Sequence, residues 1–218
     1  NPVKKPDAST TMYCPMWKDS IHWEESDTFN PAAVVKDEKI YVLYRAEDNT
    51  YKGVGSRTSR IGLAESTDGI TMKRRNTPVL APAEDCVKDL EWRGGCEDPR
   101  VAVTKDGLFV MFYTGWNRNR PRLCVATSRD LVNWEKHGLA FGNAYNGRFQ
   151  HLESKSASIV TMVENGKQVI TKVNGKYLMY WGERFINPAV SDDLINWEPV
   201  LDDKGDLLSV VSPRDGYF

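Results

Sequence analysis

One phrase occurs three times in this chain at a near-constant interval, and it restricts the fold to architectures built by repetition. The copies are Ile61-Gly62-Leu63-Ala64-Glu65-Ser66-Thr67-Asp68-Gly69-Ile70, Leu123-Cys124-Val125-Ala126-Thr127-Ser128-Arg129-Asp130-Leu131-Val132-Asn133-Trp134 and Ile186-Asn187-Pro188-Ala189-Val190-Ser191-Asp192-Asp193-Leu194-Ile195-Asn196-Trp197. Asp68, Asp130 and Asp193 fall 62 and 63 residues apart. So regular an interval signals one supersecondary unit used repeatedly.

A turn followed by a β-rich run precedes each copy. Lys36-Asp37-Glu38-Lys39 leads into residues 40–44, Lys105-Asp106-Gly107 into 108–113, and Asn174-Gly175-Lys176 into 177–180. Asp-Gly and Asn-Gly between apolar runs are hairpin signals, because both central residues tolerate positive φ. The runs before the turns, 31–35, 100–103 and 169–173, are strand-like too. Each unit therefore reads as strand, tight turn, strand, loop, strand, Ser-x-Asp turn, strand. Four antiparallel strands in about 60 residues make a propeller blade. Closed propellers need at least four blades, and 218 residues hold roughly three and a half. An open propeller would leave unpaired strand edges. The expectation is an all-β propeller that continues past residue 218, with residues 1–20 as a leader and 21–218 as the incomplete propeller domain.

A net charge of −1, without blocks of like charge, gives no nucleic-acid footprint. No apolar run is long enough to cross a bilayer. The start at Asn1 fits removal of a signal peptide or trimming of the chain, and the expected location is periplasmic or secreted, with cytoplasmic as the alternative. Cys14, Cys86, Cys96 and Cys124 lack metal-type spacing. A Cys86–Cys96 bridge is left open, and Cys124 reads as a buried apolar residue. His22, His137 and His151 share no ligand spacing, so neither metal nor cofactor is expected.

The first strand of each unit should be innermost, so residues near its start should converge. Those segments are Phe29-Asn30-Pro31-Ala32, Cys96-Glu97-Asp98-Pro99-Arg100 and Glu153-Ser154-Lys155-Ser156-Ala157. Neighbouring strand residues point to opposite faces, so of Glu97 and Asp98 only one should face the pocket, and Asp98 has the register for it. An Asp against apolar walls can serve as a general acid; alternatively, Asp-Pro is an ordinary turn and both acids are surface charges. Arg45 could hold a substrate group, or pair with Glu47 or Asp48. The other strand ends carry Trp116-Asn117 and Trp181-Gly182-Glu183, and an aromatic beside a polar group suits a sugar. Packing between blades is the competing role for Trp116 and Trp181. Trp134 and Trp197 repeat in place after the Ser-x-Asp turns and read as structural.

Phe29-Asn30-Pro31-Ala32-Ala33-Val34, Tyr44-Arg45-Ala46-Glu47-Asp48, Ser59-Arg60-Ile61-Gly62-Leu63-Ala64-Glu65-Ser66 and Glu97-Asp98-Pro99-Arg100-Val101 occur in the order found in glycoside hydrolase family 130. The chain resembles that family from Trp23 to Phe218. The resemblance implies a five-bladed β-propeller acting on β-mannosides, with an oligosaccharide as partner and self-association left open. It implies Asp98 as general acid and Asn30 and Arg45 as contacts to the mannose in the −1 subsite. Asp48, Arg60, Trp116, Asn117, Lys155, Trp181 and Glu183 are further candidate substrate contacts. Related furanosidases place an Asp where this chain has Asn30, which argues against them. Phosphorylases of the family carry an Arg after the strand at 177–180, where this chain has Trp181-Gly182-Glu183. Exchanging a cation for a carboxylate disfavours a bound phosphate, so an inverting hydrolase is the expected activity. Inversion by water needs two carboxyls about 6.5–9.5 Å apart. The second is expected past residue 218, with Glu183 the candidate inside the chain. The rivals are a mannoside phosphorylase and a non-catalytic sugar-binding propeller.

Overall fold

The computed structural model describes residues 5–51, 53, 56–214 and 216. A hairpin of β1 (Met12–Cys14) and β2 (Asp19–Ile21) leads into three antiparallel units. The first unit is β3 (Asp27–Lys36), β4 (Lys39–Glu47), β5 (Ser59–Ser66) and β6 (Lys73–Arg74). A single helical turn, α1 (Lys88–Glu91), precedes the second unit: β7 (Gly95–Val103), β8 (Phe109–Trp116), β9 (Pro121–Ser128) and β10 (Glu135–Leu139). The third contains β11 (Ser158–Ile159), β12 (Thr161–Glu164), β13 (Lys167–Ile170), β14 (Lys172–Val173), β15 (Lys176–Trp181), β16 (Asn187–Ser191) and β17 (Glu198–Pro199). The chain is all-β apart from that one helical turn.

The Ser-x-Asp phrase is a self-contained turn, which explains its repetition. Ser128 Oγ accepts the Leu131 N–H at 2.9 Å, while Asp130 Oδ1 accepts those of Val132 and Asn133 at 2.8 and 2.7 Å. Ser66/Asp68 and Ser191/Asp193 make the same bonds. The residue after each Asp has positive φ: Gly69 at 75°, Leu131 at 68° and Leu194 at 70°. The two leucines are buried, and the indole N–H groups of Trp134 and Trp197 donate to their carbonyls at 3.0 Å, so both tryptophans are structural as expected. The backbone N–H of Asn133 is the main influence pulling the Asp130 carboxyl down to about 2. Asp130→Ala should cost about 1–3 kcal/mol in urea unfolding. Asp130→Asn, which keeps an acceptor oxygen, should recover much of that loss.

The units pack through their apolar faces. Leu43 and Ile61 of the first unit meet Met111, Tyr113 and Leu131 of the second. Phe112 of the second meets Trp197 edge-on at 5.4 Å, within a cluster that also holds Phe141 and Trp181. Burying faces between units in this way is how repeated β-units stabilise one another. The first two units also share one parallel bridge, Ser59 to Gly95. Gly95 has φ of 108°, and a Cβ there would lie 2.0 Å from the Ser59 carbonyl oxygen, so only glycine permits that approach.

Two expectations change and one open question closes. Residues 5–20, assigned to a leader, are tied to the first unit: Cys14 is buried, and Thr10 Oγ1 donates to the buried Glu24 at 2.9 Å. Residues 1–4 of that leader lie outside the described residues. The strand expected at 169–173 is split. Val169 and Ile170 belong to the β12–β13 hairpin, inserted between β11 and β14, and those two short strands pair with opposite ends of β15. Its turn, Asn165-Gly166, is itself an Asn-Gly signal. Finally, no Cys86–Cys96 bridge forms: all four cysteines are free, with Cys86 exposed and Cys96 buried, while Cys124 is buried as expected. No helix among the described residues is long and apolar enough to cross a membrane.

Candidate active site

The first strand of every unit breaks step at the same place. In β3 the register shifts between Phe29, opposite Arg45, and Ala32, opposite Leu43. In β7 it shifts between Glu97, opposite Thr114, and Arg100, opposite Phe112. The third unit repeats the pattern, with the Gly182 N–H donating to the Lys155 carbonyl and Ser158 opposite Tyr180. Each bulge holds one residue in the left-handed region: Asn30 at φ 46°, Asp98 at 51° and Ser156 at 59°. Asn and Asp tolerate that conformation better than most side chains. The structural equivalent of Asn30 and Asp98 is therefore Ser156; Lys155 matches Phe29 and Glu97.

The bulge also cancels strict alternation, so Glu97 and Asp98 do not face opposite ways. Both reach Arg45. Arg45 Nη1 donates to Asp98 Oδ1 at 3.1 Å, and Nη2 donates to Glu97 Oε1 at 2.8 Å and to Glu47 Oε1 at 2.6 Å. Arg45 Nε donates to Ser59 Oγ at 3.0 Å, and the Phe29 ring lies 4.6 Å from the guanidinium carbon. Asn30 Nδ2 donates to Asp98 Oδ1 at 2.8 Å. Asp98 Oδ1 thus accepts from both Asn30 and Arg45. The side chains of Glu97 and Asp98 are 13% and 20% exposed, so neither is an ordinary surface charge.

Three carboxylates on one guanidinium leave an excess of negative charge. Burial pushes the Glu97 carboxyl up to about 7; Asp98 and Glu47 add to the rise, and Arg45 and Lys155 oppose it. A carboxyl raised above its ordinary value holds a proton in the folded chain that the unfolded chain has already released. Its contribution to stability is therefore present at low pH and declines as pH climbs from about 4.5 to about 7. Glu97→Gln lacks this decline. Thermal midpoints of the two proteins between pH 5 and pH 8 should diverge, with the gap moving in the variant's favour as pH rises; parallel profiles would contradict the account.

The other candidates separate into roles. Asp48 and Arg60 are buried and pair with each other at 2.8 Å, with Asp48 also bound to Thr50 and the Thr58 N–H, so they brace the β4–β5 connection. Trp181 is 3% exposed and packs 4.8 Å from Phe141, which makes it a packing residue. Trp116 is half-buried over Gly94, where a Cβ would come within 2.1 Å of the indole. Asn117 accepts from the Asn119 and Arg120 N–H groups of its own loop and donates to the Asp89 carbonyl of α1. Lys155 reaches the exposed Glu183 at 2.7 Å. Glu47 and Ser59 complete the cluster, and the sequence reading gave neither a place in the site. Glu47 was within reach of it, because Arg45 and Glu47 are two residues apart on one strand and share a face.

The family model for glycoside hydrolase family 130, described as beta-1,4-mannooligosaccharide phosphorylase, matches residues 10–218. The chain is 33% identical over 193 residues to a 1,2-beta-oligomannan phosphorylase from Thermoanaerobacter sp. (strain X514), covering 85% of this chain and 57% of that protein. The chain spans about half the length of the curated relatives it matches. Among solved structures, a glycosyl hydrolase from Bacteroides ovatus is 59% identical with a TM-score of 0.98, covering 100% of this chain and 61% of that one. Another, 58% identical with a TM-score of 0.98 over the same shares, comes from work stating that the GH130 family of mannoside phosphorylases contains glycoside hydrolases that target beta-1,2 mannosidic linkages in Candida mannan. A chain matched by the family model over nearly its whole length belongs to glycoside hydrolase family 130.

Proposed function

We propose that the whole protein cleaves β-mannosides, that the three units are three blades of a five-bladed propeller, and that Asp98 is the general acid. The observation that carries this is the two-donor hold on Asp98: Asn30 and Arg45 both bind Oδ1, which leaves Oδ2 for the substrate's proton. Asp98 gives its proton to the glycosidic oxygen, directly or through a sugar hydroxyl. The bond from that oxygen to the anomeric carbon breaks and its electron pair stays with the departing sugar. An acceptor attacks the anomeric carbon from the opposite face, with inversion.

The acceptor is phosphate or water. The family description and both curated relatives are phosphorylases, and they favour phosphate over the water expected from the sequence. Two observations keep water as the second reading. The relative at 58% identity is linked to hydrolases by the work that describes it. In addition, the Lys155 ammonium pairs with the Glu183 carboxylate at 2.7 Å, and a carboxylate there disfavours a phosphate dianion beside it. The test is to incubate the full-length protein with β-mannobiose, with and without inorganic phosphate. Mannose 1-phosphate appearing only with phosphate marks phosphorolysis; free mannose at a phosphate-independent rate marks hydrolysis. Sugar binding without turnover would overturn the enzymatic reading and leave a sugar-binding propeller.

A further inference from the structure

Beside the Asp98 cluster is a group of aromatic and basic side chains that neither the fold nor the proposed chemistry uses. Trp17 comes from the β1–β2 turn, Tyr51 from the β4–β5 connection and Trp92 from the segment entering β7. The Trp17 ring centroid lies 4.9 Å from that of Trp92, at an interplanar angle of 69°, and 6.3 Å from that of Tyr51. Arg93 stands 5.8 Å from the Trp17 ring and its Nη1 donates to the Tyr51 hydroxyl at 3.3 Å; Arg118 lies 4.0 Å from the Tyr51 ring.

These aromatics belong to none of the three core clusters. Trp17, Trp92 and Arg118 are half-buried, while Tyr51 and Arg93 are exposed. Trp17 Nε1 and Arg118 Nε and Nη2 are shielded from solvent and have no hydrogen-bond partner among the described residues. The exposed Tyr51 ring and Arg93 guanidinium, beside half-buried tryptophan rings with shielded, unpartnered donors, suit a pyranose, which offers an apolar face and a rim of hydroxyls. The group is joined to the Asp98 cluster through the start of β5. Thr58 Oγ1 donates to the Arg93 carbonyl at 2.9 Å, the Ser59 N–H donates to the Gly94 carbonyl at 2.7 Å, and Ser59 Oγ accepts from Arg45.

We propose that Trp17, Tyr51, Trp92, Arg93 and Arg118 form a distal subsite for a neutral sugar unit of the oligosaccharide, beyond the two units flanking the cleaved bond. The subsite rests on the β-mannoside reading for its substrate class. It predicts that affinity grows with chain length and that the gain depends on residues remote from Asp98.

The experiment measures binding of β-mannobiose and β-mannotetraose by calorimetry to the full-length protein carrying Asp98→Asn, alone and combined with Tyr51→Ala or Arg118→Ala. Tyr51 is exposed, so Tyr51→Ala poses little risk to folding, and thermal midpoints check both variants. The expected result is at least about tenfold tighter binding of the tetraose by the parent. Each added substitution should remove most of that advantage and leave mannobiose binding within about twofold. Mannobiose bound with no length advantage, or an advantage that survives both substitutions, overturns the subsite and leaves the β-mannoside reading standing. No binding of either sugar by the parent overturns both.

Discussion

Asp98→Asn should lower turnover of β-mannosides by about 10²–10⁴-fold, the usual contribution of a positioned general acid. The substitution is unusually clean at this position. Asn is isosteric with Asp and tolerates the positive φ of 51° that the bulge imposes. Its carbonyl oxygen can accept from Asn30 and Arg45 as Oδ1 does now. What it lacks is a transferable proton. KM should therefore change little, and the thermal midpoint should stay within a few degrees of the parent's. A variant with normal turnover would remove Asp98 from the chemistry.

Arg45→Ala should be the most destabilising single change in the site. Arg45 is 5% exposed and is the shared partner of Glu47, Glu97 and Asp98. Removing it leaves Asp98 its bond from Asn30, Glu97 a long contact with the Ser59 hydroxyl, and Glu47, with no exposed surface, the Ser59 hydroxyl on Oε1 and Arg57 at 3.6 Å on Oε2. Breaking a buried ion pair by deleting one partner costs about 3–5 kcal/mol. Much of that cost is repulsion, so adding Glu97→Gln to Arg45→Ala should recover part of it, a non-additivity expected of side chains in direct contact. Urea unfolding of the parent, both single variants and the double variant closes the cycle. A loss below about 1 kcal/mol in Arg45→Ala would show that the cluster does not depend on its cation.

The repeated phrase made the unit boundaries legible because the Ser-x-Asp turn is local chemistry, with every partner within three residues of its acceptor. The hairpins at 36–39, 105–107 and 174–176 were legible for the same reason. What depended on distant partners was harder to read. The inserted β12–β13 hairpin was merged into its neighbour because β-rich segments on both sides of Asn165-Gly166 look alike in sequence. Strand alternation misassigned Glu97, since a bulge re-aims both acids and only the pairing shift across Glu97 and Arg100 reveals it. Asp48 and Arg60 carry charges that look available in sequence, yet they meet twelve residues apart in a buried pair. Trp181 reads equally as a sugar platform or as core in sequence, and only the fold shows it buried against Phe141. Asn30, Arg45 and Asp98 do come together as the family resemblance implies, across 68 residues of sequence.

The most direct test varies the leaving group. A 2,4-dinitrophenyl β-mannoside departs as a stable phenolate and needs no proton, whereas the sugar leaving from β-mannobiose does. Steady-state rates of the full-length protein and of Asp98→Asn on both substrates separate proton donation from mere positioning. If Asp98 is the general acid, the loss of about 10²–10⁴-fold on β-mannobiose shrinks to within about tenfold on the dinitrophenyl substrate. An equal loss on both substrates would contradict the account.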